Sequence, residues 1–381
     1  MRFALRNFGP VKQADIRFGD LTVFVGPQAT GKSVTLQLMK LLVDTGAVQQ
    51  MLGRYGFEWD AAGPGLMDLY FGEGMHQLFT RATRVGWDGR KHGPRSLARR
   101  RKGSEAASVY YVPAQRVLSL TQGWPKPFGE FSAGDPYVLR EFSERVRVVA
   151  EQLARAGDVL FPREQRLKEP VRKALSREIF GGFSLNVERN GRKRLMLGRA
   201  GAPGLPVTAW STGQREFVPM LLALLELLPS KKKRRLDDVS WVVLEELEAG
   251  LHPRGITTCL VLLLELLNRG YRVCLSTHSS TVVDLLWAVH VFRQKGGVAR
   301  DVLALFDEPA AAGMTPAAQR MLELDIRVHH FGQDGHVQDI SALDPGAIDE
   351  REGTWGGLTG FASSTSDVVS RVAARAWRQG A

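Results

Sequence analysis

The stretch GPQATGKS, Gly26 to Ser33, fits the pattern G-x-x-x-x-G-K-[ST] and stands between an apolar run, LTVFV, and a helical pattern, VTLQLMKLLVDTG. A turn of this type after a strand and before a helix holds a nucleoside triphosphate. Gly26 and Gly31, with Pro27, Gln28, Ala29 and Thr30 between them, let backbone N–H groups wrap the β-phosphate, while the helix N-terminus adds positive potential. Lys32 is expected to bridge to the γ-phosphate of ATP and Ser33 to ligate Mg²⁺. A second stretch, WVVLEELEAGLHP from 241 to 253, ends its apolar residues with two adjacent carboxylates. Consecutive side chains on a strand point to opposite faces, so Glu245 and Glu246 belong at a strand's carboxyl end, the edge where open α/β sheets bind ligands. Glu245 is expected to hold the metal, usually through a water, and Glu246 to accept a proton from the water attacking the γ-phosphate. The competing reading of the pair is an acidic cluster at a helix start.

Three further stretches follow in a telling order: YVPAQR at 111 to 116, STGQRE at 211 to 216, and STHSS around His278. With the phosphate-binding turn and LEELEAGLHP they resemble the head of an ABC-type ATPase, in the branch of overcoming-lysogenization-defect-like, RecF-like and SMC-like ATPases. GGFSLNVERNG…LPVTAWSTGQRE resembles the hairpin that leads into that branch's signature helix. The resemblance implies that Ser211 and Gly213 point at the γ-phosphate bound by the opposite subunit of a head-to-tail dimer. It gives His278 the place of the switch histidine and Gln115 that of the Q-loop glutamine, with Arg116, or neither, as alternatives. Glu248 and His252 fall in the D-loop-like turn, where His252 is equally a capping or packing residue. STGQRE taken by itself is an ordinary helix cap. Three departures stand out: the metal carboxylate is Glu245 where most such enzymes use Asp, Leu247 replaces a common proline, and Gln214 replaces the second signature glycine. The extra methylene of Glu245 is compatible with slow turnover.

The elements that must position these residues read as alternating strands and helices, which implies a mainly parallel sheet with helices on both faces. The fold class is therefore α/β: an ABC-type P-loop NTPase head with an antiparallel β part and a short helical insertion. Residues 1–44 carry the phosphate turn, 45–107 form a Gly-rich and basic insertion, and 108–116 return as a strand with the Q-loop. Residues 117–182 hold a linker and a compact helical arm, in which Val138, Leu139, Phe142, Val146, Val149 and Leu153 recur at helical spacing. Residues 183–298 contain a hairpin turned at Asn190-Gly191, the signature helix, the carboxylate pair and His278. Residues 299–381 form an α+β extension with a second hairpin turned at Asp334-Gly335.

With 381 residues and 44% apolar content the chain buries a large core. Its charge of +11 favours encounter with polyanions without specifying one. Arg81 to Lys102 holds nine Lys or Arg and one Asp, and with 231–235 it is the candidate nucleic-acid surface; the alternative is a solvated loop. Cys259 and Cys274 sit in apolar runs as small buried hydrophobes. The greasiest stretches are short and carry Glu226 and Glu265, and the start has no signal-peptide core, so a cytoplasmic protein without membrane contact is expected. No acidic cluster after residue 300 marks a nuclease, and Asp307 with Glu308 reads as solvated. Two functions follow: ATP hydrolysis by a dimer that controls a separate effector protein, in anti-phage defence, or a nucleotide-gated DNA clamp in repair.

Overall fold

The computed structural model describes residues 1–100, 106–164, 166–189, 191–199, 203–229, 234–306, 313–360, 365–366 and 368–371. In chain order the strands are β1 (Arg2–Phe8), β2 (Val11–Arg17), β3 (Leu21–Val25), β4 (Phe79–Trp87), β5 (Arg90–His92), β6 (Val109–Val112), β7 (Leu120–Thr121), β8 (Trp124–Pro125), β9 (Val159–Phe161), β10 (Ser184–Glu188), β11 (Arg194–Gly198), β12 (Trp241–Glu245), β13 (Arg272–Ser276), β14 (Ile326–Phe331) and β15 (Val337–Asp339). The helices that frame the site are α1 (Lys32–Val43), α2 (Thr45–Arg54), α3 (Pro64–Phe71), α4 (Pro94–Ala98), α5 (Tyr137–Arg155), α6 (Glu169–Glu178), α7 (Thr212–Leu227), α8 (Pro253–Asn268) and α9 (Ser280–Lys295).

The central sheet runs β15-β14-β3-β13-β12-β6, and every pair in it is parallel except β14 with β15. Its strands are apolar on both sides because both sides are covered. Val23, Val25, Tyr110, Val112, Val242, Leu244, Val273 and Leu275 face one core, shared with α5 to α9. Phe24, Val109, Tyr111, Trp241, Val243, Cys274 and Phe331 face the other, shared with α1 to α3 and the antiparallel sheet β2-β1-β4-β5. The expected fold class is thus realised, with the antiparallel part stacked against one face of the parallel sheet.

Residues 45–107 are inserted in chain order but not set apart in space: β4 pairs with β1, and α2 and α3 bury Val48, Leu52, Leu66 and Tyr70 in the second core. The basic run lies on a strand pair and short helix in place of a loop, and its cations Arg81, Arg84, Arg90, Lys91 and Arg95 face solvent. Of the other basic segment, 231–233 lie outside the described residues; Arg234 and Arg235 donate to the carbonyls of Asn268 and Gly270. In the helical segment, Phe142, Val146, Val149 and Leu153 of α5 are buried in the first core. The β10–β11 hairpin forms, with residue 190 of its turn outside the described residues. In the β14–β15 hairpin, Gly335 takes φ +83° and donates to Gly332 O. The extension is integral to the head, since β14 runs alongside β3. Asp307 and Glu308 lie outside the described residues.

One buried ionic group was not foreseen. Lys40, fully buried in α1, donates to Val109 O at 2.8 Å and pairs with Glu141 at 2.8 Å and Asp44 at 3.3 Å. Asp44 in turn accepts from the backbone N–H groups of Ser108 and Val109 and from the Ser108 hydroxyl. This joins the end of α1 to the start of β6 and to α5, and so fixes the helix that bears Lys32.

Candidate functional site

The loop from Gly26 to Ser33 leaves β3 and enters α1 with Gly31 as a left-handed N-cap at φ 97°. Gly26 takes φ +131°, and a β-carbon there would stand 2.4 Å from Phe331 O on β14, so only glycine fits. Thr30 donates its hydroxyl to Pro27 O at 2.9 Å, which closes the loop on itself. Gln28 and Ala29 are exposed at its crest. Lys32 is buried and donates to Gly26 O at 2.8 Å and Pro27 O at 2.6 Å, carbonyls that a phosphate would replace as partners. Desolvation holds its ammonium down to about 8, with the charges of Glu246, Glu245 and Glu248 opposing the shift.

Glu245 closes β12, 1% exposed, and Glu246 leaves the strand with φ +46°. That left-handed step solves the problem set by adjacent carboxylates, because it ends the pleat and frees Glu246 to turn toward β13. Glu246 N donates to Ser276 O at 2.9 Å, and Glu246 Oε1 lies 3.6 Å from His278 Nε2. Glu245 Oε2 accepts from Ala114 N at 3.1 Å, whereas its Oε1 is buried without a hydrogen-bond partner. Burial raises the Glu245 carboxyl above its ordinary range, opposed by the Ser33 hydroxyl, Ala114 N–H and the Tyr111 hydroxyl. A buried carboxylate oxygen without a partner beside the Ser33 hydroxyl is a hard-oxygen donor set suited to magnesium completed by phosphate and water oxygens.

His278 follows β13, its backbone N–H donating to Glu248 Oε1 at 2.6 Å, and Glu248 also accepts from the Thr277 hydroxyl at 2.7 Å. Burial, then the charge of Lys32, hold the His278 imidazole below its usual value, so it is neutral near pH 7. Lys32, Ser33, Glu245, Glu246, Glu248 and His278 therefore meet at the carboxyl ends of β3, β12 and β13, the sheet edge anticipated from the spacing.

The remaining expected residues lie around this group. Gln115 is exposed and follows Ala114, the residue whose N–H holds Glu245. Arg116 is not exposed with it: the guanidinium is fully buried and bound to carbonyls. Ser211 and Gly213 stand at the start of α7. Ser211 Oγ accepts from Gln214 N at 3.2 Å and Gln214 Oε1 accepts from Ser211 N at 3.0 Å, the reciprocal capping box that also explains glutamine at 214. Gly213 packs on the D-loop-like turn, since a β-carbon there would come 2.7 Å from Gly250 O. Among the described residues no hydrogen bond links Ser211 or Gly213 to Lys32, Ser33, Glu245 or Glu246. His252 caps α8, its Nδ1 accepting from Arg254 N at 3.4 Å, which favours the capping alternative. Cys259 and Cys274 are buried as expected; burial pushes the Cys259 thiol up to about 12 and that of Cys274 higher. No helix among the described residues is long and apolar enough to cross a membrane.

No curated protein matches the chain in sequence. Among solved structures, the chain is similar to an SMC head bound to the C-terminal winged-helix domain of ScpA, with 11% identity, TM-score 0.40, and coverage of 89% of this chain and 95% of that one. It is also similar to the SMC head domain from Thermotoga maritima, with 12% identity, TM-score 0.32, and coverage of 86% and 93%. Residues 95–284 match the family described as "AAA domain, putative AbiEii toxin, Type IV TA system". That segment holds Glu245, Glu246 and His278, and the phosphate-binding turn from Gly26 to Ser33 lies ahead of it.

Proposed function

We propose that the chain hydrolyses ATP as a head-to-tail homodimer and that ATP-driven closure of its two heads controls a separate effector protein in anti-phage defence. The observation that carries this reading is the convergence of Lys32, Ser33, Glu245, Glu246 and His278 at one sheet edge from three strands far apart in sequence. Magnesium, held by Ser33 and Glu245, would neutralise charge on the phosphate oxygens during transfer. Lys32 exchanges its two loop carbonyls for phosphate oxygens. Glu246, partly exposed beside His278, takes the proton from the attacking water. His278, neutral and anchored by Glu248, donates to or accepts from that water or the γ-phosphate according to its tautomer. Gln115, next to the residue that holds Glu245, lies on the solvent side of the pair. The dimer follows the family resemblance: a second copy would meet the γ-phosphate with the N-terminus of α7, whose cap residue Ser211 is exposed. The matched family's description names a toxin–antitoxin system, and a partner protein is in keeping with it.

The second reading, a DNA clamp with hydrolysis as its timer, is favoured by the exposed cations of β4, β5 and α4. Turnover and mass in solution, measured for wild type and E246Q with MgATP, with and without duplex DNA, test both. Wild type is expected to hydrolyse ATP; E246Q should bind it, lose about 10²- to 10⁴-fold in kcat and accumulate as a dimer. Absence of ATP uptake in calorimetry removes the ATPase reading. Turnover stimulated by DNA, with affinity falling steeply in salt, favours the clamp.

A further inference from the structure

Arg116 has no solvent exposure, and its guanidinium bonds go to the carboxylate pair, to its own loop and to α7. Nη1 donates to Glu245 O at 2.9 Å and, more weakly, to Pro113 O at 3.4 Å; Nη2 donates to Glu246 O at 3.0 Å. Nε donates to Glu216 O in the second turn of α7 at 2.9 Å, and the Glu216 carboxylate lies 3.7 Å away as the nearest counter-charge. Glu216 Oε2 is itself buried without a hydrogen-bond partner. The rigid planar fork of arginine is thus stretched between two elements: the end of β12, with the left-handed step at Glu246, and the start of α7. Pro219, inside α7, removes the N–H that would have bonded Arg215 O, so the helix ladder is already interrupted beside the carbonyl that Arg116 takes.

We propose that Arg116 is a positioning residue that ties the start of α7 to the backbone of Glu245 and Glu246, so that a movement of α7 on dimer closure reaches the carboxylate that activates water. This rests on the ATPase reading given above. A lysine at 116 keeps the charge but offers a point rather than a fork, and cannot hold both carbonyls of the pair and that of Glu216. Without the clamp Glu246 relaxes from its left-handed step, and a displacement of about 1 Å costs on the order of a hundredfold in rate. The nucleotide's own contacts, from the loop between Gly26 and Ser33, are untouched.

The test measures MgATP affinity by calorimetry, together with kcat and KM, for wild type, R116K, E216A and the double variant. R116K is expected to bind MgATP within about threefold of wild type while kcat falls on the order of a hundredfold, a split that mere loss of folded protein does not produce. E216A, which keeps the carbonyl bond but removes the counter-charge, should lower kcat less, and the double variant should lose less than the product of the two single effects. Should R116K not fold, R116A assayed with added guanidinium chloride in the low millimolar range replaces it: recovery of kcat by guanidinium but not by sodium chloride supports the clamp. An R116K enzyme with unchanged kcat, effects that multiply in the double variant, or loss of turnover that only follows loss of MgATP binding, overturns it. A wild type that binds and hydrolyses no ATP fails the ATPase reading itself, which separates the two failures.

Discussion

Replacing Lys32 by methionine while varying pH isolates the electrostatic burden of the phosphate loop. In the folded chain desolvation brings this ammonium down to about 8 from an ordinary 10.5. Below the folded value both folded and unfolded chains carry the proton, and the full penalty for burying the charge stands. Between the two values the unfolded chain binds the extra proton, so stability rises with pH across this window. From about pH 7 to about pH 10 the gain is about 2 to 3 kcal/mol, from the size of the shift at 1.36 kcal/mol per unit. K32M lacks the group, so subtracting its stability removes every other titration. Urea unfolding of both proteins at a series of pH values, without nucleotide, reads the difference directly. Wild type should gain on K32M by that amount as pH rises; curves that stay parallel refute the inference that burial, not a neighbouring charge, sets the state of Lys32.

K40M should be far more damaging than its conservative size suggests, because it leaves Glu141 and Asp44 buried without their cation; a loss of about 3 to 5 kcal/mol is expected in urea unfolding, and a loss under 1 kcal/mol rules out the network as a structural tie. S211A should lose about 1 kcal/mol by removing the cap on Gln214 N, whereas S211T keeps the cap. If Ser211 also serves a neighbouring subunit, S211A loses dimer-level turnover beyond what its stability change accounts for, and equal behaviour of the two variants refutes that role.

The parts of the site that rely on local chemistry are readable in the sequence. A glycine at a close approach, a lysine and serine at a helix start, and carboxylates after an apolar run each announce a backbone need within a few residues. The capping box at Ser211 is equally local. What escapes such reading depends on residues distant along the chain. Lys40 sits within an apolar helix as though it were a stray surface cation, and only the spacing to Asp44 hints at a partner; Glu141 becomes its neighbour through the packing of α5. Arg116 stands next to Gln115 with nothing local to separate them, and the fold sends one outward and the other into the protein. The place of β14 beside β3 follows from no periodicity in either strand.

That placement bears on how the protein is made. The strand that launches the phosphate loop, Leu21–Val25, leaves the ribosome well before its two flanking partners, β13 at Arg272–Ser276 and β14 at Ile326–Phe331. Until those partners are made, LTVFV is an apolar, uncharged, proline-free segment with both sides open, a template for pairing with another nascent chain. Nucleotide cannot assist folding at that stage, because the carbonyl of Phe331 against which Gly26 is seated does not yet exist. Yield in a heterologous host is therefore governed by how long that early segment waits, and slower translation or a holding chaperone acts on the wait, not on the finished fold.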